Sequence, residues 1–229
     1  MVRSAFYTHL QLIHLLYPPS SSSSVVSTPS HQHSQRRKPE SSPALVRFES
    51  LCSIYQHLFL SIVTYKSTSI PMMTLAFSLL PTLISPTNLG KAGAIRYLSD
   101  TIPVLNSSLG DSYSAKKLSM VFTPQTVGMY LAVLGALQAI VEICKGTGRI
   151  ERWRPSLLTS LARMWCNLHE TEQGRKADTT ELEKKMKQVA GLIVQTGGAG
   201  AEEDCRRVLA LDPKLFGSLF PEVWIAAEA

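Results

Sequence analysis

The chain has 229 residues, enough for one or two domains with a buried core. Only 17% of the residues are charged, and about half of the net charge of +6 lies in residues 1–50. The rest of the chain is therefore only mildly basic, unlike a typical nucleic-acid-binding protein. The four cysteines form no Cys-x-x-Cys pair, which argues against a zinc ribbon and against a disulfide framework.

Residues 1–43 are predicted to form a disordered tail. The stretch from Pro18 to Pro43 consists mainly of serine, proline and other polar residues, without an apolar period. Such a segment buries too little apolar surface to offset the conformational entropy that is lost on folding. The folded domain is therefore expected to cover residues 44–229.

Residues 50–90 allow two interpretations. No charged residue occurs between Ser67 and Gly90, and this stretch is long enough to span a bilayer. Three prolines divide it, however, into segments no longer than one helix of a soluble bundle. Two core helices are therefore favoured, and a membrane-associated protein anchored through residues 50–90 is the alternative.

From residue 95 onward, apolar residues recur at intervals of three and four, which places one apolar face on each predicted helix. The helix boundaries carry local signals as well. Thr123-Pro124 and Asp212-Pro213 each combine an N-cap residue with proline at the first helical position. Asp178 and Glu181 have the spacing of a capping box. Glycines follow the apolar stripes and predict the helix ends.

These patterns predict an all-α domain. Two architectures fit them equally well: a HEAT- or ARM-like helical-repeat solenoid, and an irregular helical bundle. No two segments are alike enough to establish a sequence repeat, and the spacing of apolar residues does not separate the two architectures.

The sequence contains no recognisable catalytic, phosphate-binding or metal-binding motif. Cys166 and His169 lie one helical turn apart, but two ligands do not form a metal site and there is no second pair. The glycine-rich segment Gly197–Gly200 follows a helix rather than a strand, which does not fit a dinucleotide-binding loop, and the acidic residues after it would repel phosphate. We therefore expect no enzyme activity, no cofactor and no metal.

The segment Gly148–Trp165 holds two of the three tryptophans and four arginines. Because proline is tolerated only in the first turn of a helix, Pro155 places the start of a helix near Trp153 or Arg154. Trp165 continues the apolar stripe of this helix and is expected to be buried. The arginines mostly fall outside the stripe and are expected to be exposed.

Three interpretations of these arginines remain open. They are solvated side chains beside a buried tryptophan, a contact for a partner protein, or a contact for single-stranded nucleic acid. Arginine and tryptophan are both enriched among the residues that dominate protein interfaces. The predicted partner-binding residues are Arg149, Arg152, Trp153 and Arg154.

Three groups of residues carry a resemblance to a known family. They are Tyr97, Leu98, Asp100, Ile102, Pro103 and Leu105; Ala136, Leu137 and Gln138; and Arg149, Ile150, Arg152, Trp153, Arg154 and Trp165. In these positions, and over roughly residues 70–225, the chain resembles the C-terminal half of the second Tel-two-interacting protein family. That family provides the smallest subunit of the TTT co-chaperone complex.

The resemblance implies a non-enzymatic helical-repeat scaffold or adaptor. The TTT complex supports the maturation and stability of phosphatidylinositol-3-kinase-related kinases together with a general chaperone. The implied partners are the other TTT subunits and, indirectly, the kinase clients and the chaperone, in the cytoplasm and the nucleus. The resemblance implies no small-molecule substrate, and neither nucleic acid nor membrane is an expected partner.

Overall fold

The computed structural model describes Phe59 and residues 69–83, 98–110, 122–170, 178–196 and 200–220. These ranges contain seven helices and no β-strand, which confirms the all-α prediction for this part of the chain. The predicted tail of residues 1–43 lies outside the described residues. The helices are α1 (Ile70–Leu83), α2 (Leu98–Gly110), α3 (Pro124–Cys144), α4 (Arg154–Glu170), α5 (Thr180–Thr196), α6 (Ala201–Leu209) and α7 (Pro213–Gly217).

Two helix starts follow the predicted signals. The Thr123 side chain accepts a hydrogen bond from the backbone N–H of Thr126, and the Thr126 hydroxyl accepts one from the backbone N–H of Thr123. The carboxylate of Asp212 accepts a hydrogen bond of 3.0 Å from the backbone N–H of Leu215. Both N-caps therefore satisfy backbone donors that have no partner inside the helix.

The start of α5 differs from the prediction by one residue. Thr179, rather than Asp178, directly precedes the helix, because its carbonyl accepts the first helical hydrogen bond from the N–H of Glu183 at 2.9 Å. The hydroxyl of Thr179 also donates to the Glu183 carboxylate at 3.4 Å. Asp178 stays exposed one residue upstream, so the predicted capping box with Glu181 is wrong.

The larger helices pack in two rows around a single apolar core. Helices α1, α3 and α5 form one row, in which α3 contacts both of the others. Helices α2, α4 and α6 form the second row, in which α4 contacts both of the others. Contacts between α2 and α3, α4 and α5, and α5 and α6 join the rows, and α7 packs against α4 and α6.

Side-chain hydrogen bonds between neighbouring helices join residues about 50 positions apart. Three of these bonds span 50 residues and one spans 47 residues. In chain order they join Asn106 to Ser156, Gln138 to Lys185, Arg154 to Asp204, and Trp165 to Leu215. These four bonds thus connect pairs of helices that are separated by a similar length of chain.

Helix α3 is the central helix of the domain. It has 21 residues, and the residues buried along it face more than one neighbour, which differs from the single apolar face predicted from the sequence. It is also the one helix in the described ranges that is long and apolar enough to cross a membrane. However, 56% of its most apolar 18-residue stretch is buried inside the protein. Of residues 50–90, the structure describes only Phe59 and residues 69–83, which include the 14 residues of α1, and the rest of the proposed anchor lies outside the described residues.

Candidate partner-binding loop between α3 and α4

Residues 145–153 join α3 to α4, and we name them the α3–α4 loop. Ile150 is 1% exposed and fixes the middle of the loop in the core. The Thr147 hydroxyl donates a hydrogen bond of 2.6 Å to the carbonyl of Cys144 at the end of α3. The backbone N–H groups of Trp153 and Arg154 both donate to the Ile150 carbonyl at 2.9 Å. The loop is thus held at its start, its centre and its end.

Two glycines allow the chain to turn out of α3. Gly146 has a φ of +72° and Gly148 a φ of +66°, in the left-handed region that other residues adopt at a cost. They lie where the sequence predicted the end of the helix. The chain can therefore reverse within a few residues and bring Ile150 back to the core.

The α3–α4 loop exposes three cationic side chains. Lys145, Arg149 and Arg152 are exposed, whereas Trp153 is half-buried. The guanidinium of Arg152 lies 5.4 Å from the centre of the Trp153 ring, within the range of a cation–π contact. The structure therefore places Arg152 against Trp153 and leaves Arg149 exposed on the same loop, and the assignment of these residues to a partner-binding site stays a prediction.

Arg154 does not belong to this surface, and the expectation that its side chain is exposed is wrong. The residue is only 5% exposed, and its Nε donates a hydrogen bond of 2.7 Å to the carboxylate of Asp204. The side chain of Asp204 is 10% exposed, so both charges lie inside the protein. Arg154 is the first residue of α4 and faces the first turn of α6. It connects the two helices and is almost completely buried.

The sequence contained a signal for this pair. Arg154 precedes Leu157, Leu158 and Leu161 by three, four and seven residues, so it lies on the buried stripe of α4. Asp204 likewise lies on the buried stripe of α6, between Ala201 and Val208. A charged residue on a buried stripe requires an opposite charge or hydrogen-bonding partner. The identity of the partner, 50 residues away, does not follow from the periodicity.

Gly200 is the residue before α6 and lies close to Arg154. Its φ is +89°, and a Cβ atom added there would lie 3.2 Å from Nη2 of Arg154. Glycine thus provides both the left-handed conformation and the space for the guanidinium. The glycine-rich segment Gly197–Gly200 therefore ends in a residue with a specific packing role.

Trp165 is buried, as the apolar stripe predicted, at 1% exposure. Its indole Nε1 donates a hydrogen bond of 3.0 Å to the carbonyl of Leu215 in α7. The ring of His169 lies 4.5 Å from the tryptophan ring, and the Nζ of Lys187 lies 5.4 Å from the ring centre. Trp165 therefore contacts both α5 and α7 from α4, and it holds these helices together in the core.

The pKa values of two described thiols, those of Cys166 and Cys205, are raised. Burial raises the pKa of Cys166, and the carboxylate of Glu170 raises it further. Burial, followed by the charge of Asp204, raises the pKa of Cys205 to about 11. In the described part of the chain, no three His, Cys, Asp or Glu side chains lie where they could hold a metal ion together. The sequence prediction of no metal and no cofactor stays a prediction.

Comparison with known proteins identified no protein similar to this chain. No protein-family model, no curated protein and no solved structure matches the chain.

Proposed function

We propose that this protein is a non-enzymatic scaffold or adaptor that binds partner proteins through the α3–α4 loop. The observation that carries the proposal is the presence of the exposed Arg149 and Arg152 and the half-buried Trp153 on a loop with an anchored backbone. Arginine and tryptophan contribute a large share of the binding energy in protein interfaces, and an anchored loop loses little entropy when it binds.

The packing of the described helices supports a helical-repeat solenoid of the HEAT or ARM-like type. In such a solenoid each repeat contacts its neighbours, and equivalent positions recur at the length of one repeat. The two rows of helices and the bonds that span 47 and 50 residues fit this arrangement. HEAT and armadillo repeats are about 40–47 residues long, close to this spacing. Solenoids commonly serve as binding scaffolds.

The residues that resemble the second Tel-two-interacting protein family favour one particular complex. On that basis we propose that the chain is a subunit of the TTT co-chaperone, which supports the maturation of phosphatidylinositol-3-kinase-related kinases. Its direct partners are then the other TTT subunits, and the kinase clients and a general chaperone are indirect partners. Its location is then the cytoplasm and the nucleus.

Affinity purification of the tagged full chain, followed by mass spectrometry, tests this assignment. We expect the other TTT subunits to co-purify with the wild-type chain. We expect the double variant Arg149→Ala/Arg152→Ala to recover less of them, while its helical circular dichroism signal stays unchanged. A well-folded wild-type chain that recovers none of these subunits would contradict membership of the complex.

A membrane-associated helical protein is the second candidate. The length and apolar character of α3 favour it, whereas the packing of α3 against α1 and α5 favours a core helix. Cell fractionation without detergent separates the two candidates. Recovery of the full chain in the soluble fraction supports the scaffold, and recovery in the membrane fraction that resists carbonate extraction supports the membrane alternative.

A further inference from the structure

We propose that the α3–α4 loop binds an acidic, extended segment of a partner protein, and that Arg149 and Arg152 are the residues that bind its carboxylates. This inference rests on the proposed scaffold function and names the chemistry of the partner. It follows from the charge balance of the loop, the position of the nearby carboxylates and the way the loop is anchored.

The exposed cations of the loop, Lys145, Arg149 and Arg152, form no ion pair with the residues that the structure describes. The exposed arginines of α6 differ in this respect. Arg206 lies 3.6 Å from the carboxylate of Glu202, and Arg207 lies 3.3 Å from that of Glu203. The positive charge of the loop is therefore available to a partner, whereas that of α6 is largely matched within the helix.

The two nearest carboxylates in sequence, of Glu151 within the loop and Glu142 before it, leave the loop with a net positive charge, since it holds three cationic side chains and one carboxylate. The Glu151 side chain turns towards Gly148, where a Cβ atom would lie 3.6 Å from its Oε1. The carboxylate of Glu142 accepts a hydrogen bond of 2.8 Å from the side-chain amide of Gln138, one turn earlier in α3. In the part of the chain that the structure describes, neither carboxylate forms an ion pair with Arg149 or Arg152.

The anchored backbone makes the loop suitable for a specific contact. Ile150 holds its centre in the core, and the buried pair of Arg154 and Asp204 fixes the residue that follows Trp153. Arg154 is therefore a positioning residue. A preorganised loop keeps more of its interaction energy as affinity, since less side-chain and backbone freedom is lost on binding.

The residue types favour carboxylates in a protein segment. The planar guanidinium group donates two parallel hydrogen bonds to a carboxylate, and the half-buried Trp153 ring offers an apolar surface beside it. Single-stranded nucleic acid usually requires a longer positive groove with aromatic rings free to stack on successive bases. Here the loop carries one tryptophan, and Arg152 already lies over its ring.

Fluorescence anisotropy with the full chain tests the proposal. The probe is a fluorescein-labelled peptide of alternating glutamate and serine, and the same peptide with glutamine in place of glutamate is the neutral control. We expect the wild-type chain to bind the acidic probe only. We expect Arg149→Ala/Arg152→Ala to weaken binding about tenfold or more, as the loss of a charge-assisted contact of about 1.4 kcal/mol would do.

The matched control is Arg206→Ala/Arg207→Ala, which removes the same charge from exposed arginines that have internal partners. We expect it to bind the probe as the wild type does. Equal weakening in both double variants would show a general charge effect and overturn the proposal. Tighter binding of a single-stranded oligonucleotide than of the acidic peptide, with a steep salt dependence, would also overturn it.

The peptide-binding experiment and the co-purification experiment test the two proposals separately. If TTT subunits co-purify with the chain but the acidic probe does not bind, the scaffold function stands and this inference fails. If the probe binds through Arg149 and Arg152 but no TTT subunit co-purifies, the loop chemistry stands and the assignment to the complex fails. Circular dichroism of each variant confirms that binding is compared between folded proteins.

Discussion

Replacement of Arg154 by alanine should destabilise the fold strongly, although the residue was expected from the sequence to be an exposed arginine. In the structure its side chain is 7% exposed and that of Asp204 is 10% exposed, with 2.7 Å between Nε and the carboxylate oxygen. The variant Arg154→Ala therefore leaves the carboxylate of Asp204 buried without its main counter-charge. It also removes the aliphatic part of the arginine from the contact between α4 and α6.

The expected loss can be given a magnitude. Breaking a buried ion pair by removal of one partner costs about 3–5 kcal/mol, because the remaining charge is neither solvated nor paired. For a protein of this size, each kcal/mol lowers the melting temperature by about 2–4 °C, so the melting temperature should fall by about 6–20 °C. If Arg154 were exposed, the cost would instead be about 0–1 kcal/mol.

Urea denaturation and thermal melting, both followed by circular dichroism, measure this change. The control is Arg206→Ala, because Arg206 is 60% exposed and pairs with Glu202 one turn away. Its loss should be about 0.3–0.5 kcal/mol. The double variant Arg154→Met/Asp204→Leu removes both charges and fills the space with apolar atoms. It should be more stable than Arg154→Ala alone, since no unpaired charge remains buried.

A melting temperature for Arg154→Ala within error of the wild type would refute the reasoning. It would mean that the Arg154 side chain is solvated and that α4 and α6 do not share a buried ion pair. A double variant no more stable than Arg154→Ala would refute the electrostatic explanation and assign the loss to packing.

Three further predictions concern other residues of the core. Trp165→Ala should lower the free energy of unfolding by about 3–5 kcal/mol in urea denaturation, and a loss under about 1 kcal/mol would show that the buried face is assigned wrongly. Gly200→Ala should lower the free energy of unfolding by roughly 1–2 kcal/mol or more, because Gly200 has a left-handed backbone and lies close to Arg154. Gly191→Ala, inside a helix with open space around it, should raise the free energy of unfolding by about 0.5–1 kcal/mol. Equal effects of the two variants would contradict the structure. The pKa of Cys205 is raised from 9.0 to about 11 in the folded state, so its thiol ionises at a lower pH in the unfolded chain than in the folded protein. The folded state therefore keeps its full stability below pH 9 and loses stability as the pH rises towards 11. The wild type should lose about 2–3 kcal/mol more than Cys205→Ala over this interval, and parallel pH profiles in urea denaturation would contradict the assignment.

Much of the local structure could be predicted from the sequence. The N-caps at Thr123 and Asp212, the helix start at Arg154 and the burial of Trp165 all agree with the structure. These features depend on residues within about four positions of one another, since caps and apolar stripes are properties of a single helix. The exposure of Arg149 and Arg152 was predicted for the same reason.

Only the tertiary structure decided the environment of Arg154 and the order in which the helices pack. Arg152 and Arg154 are the same residue type two positions apart, yet one is exposed at a tryptophan ring and the other is buried beside Asp204. The sequence by itself determined which residues form helices and which faces are apolar, because those properties come from neighbouring residues. A buried charge is stable only where the fold supplies its counter-charge, and here that carboxylate lies 50 residues away on another helix.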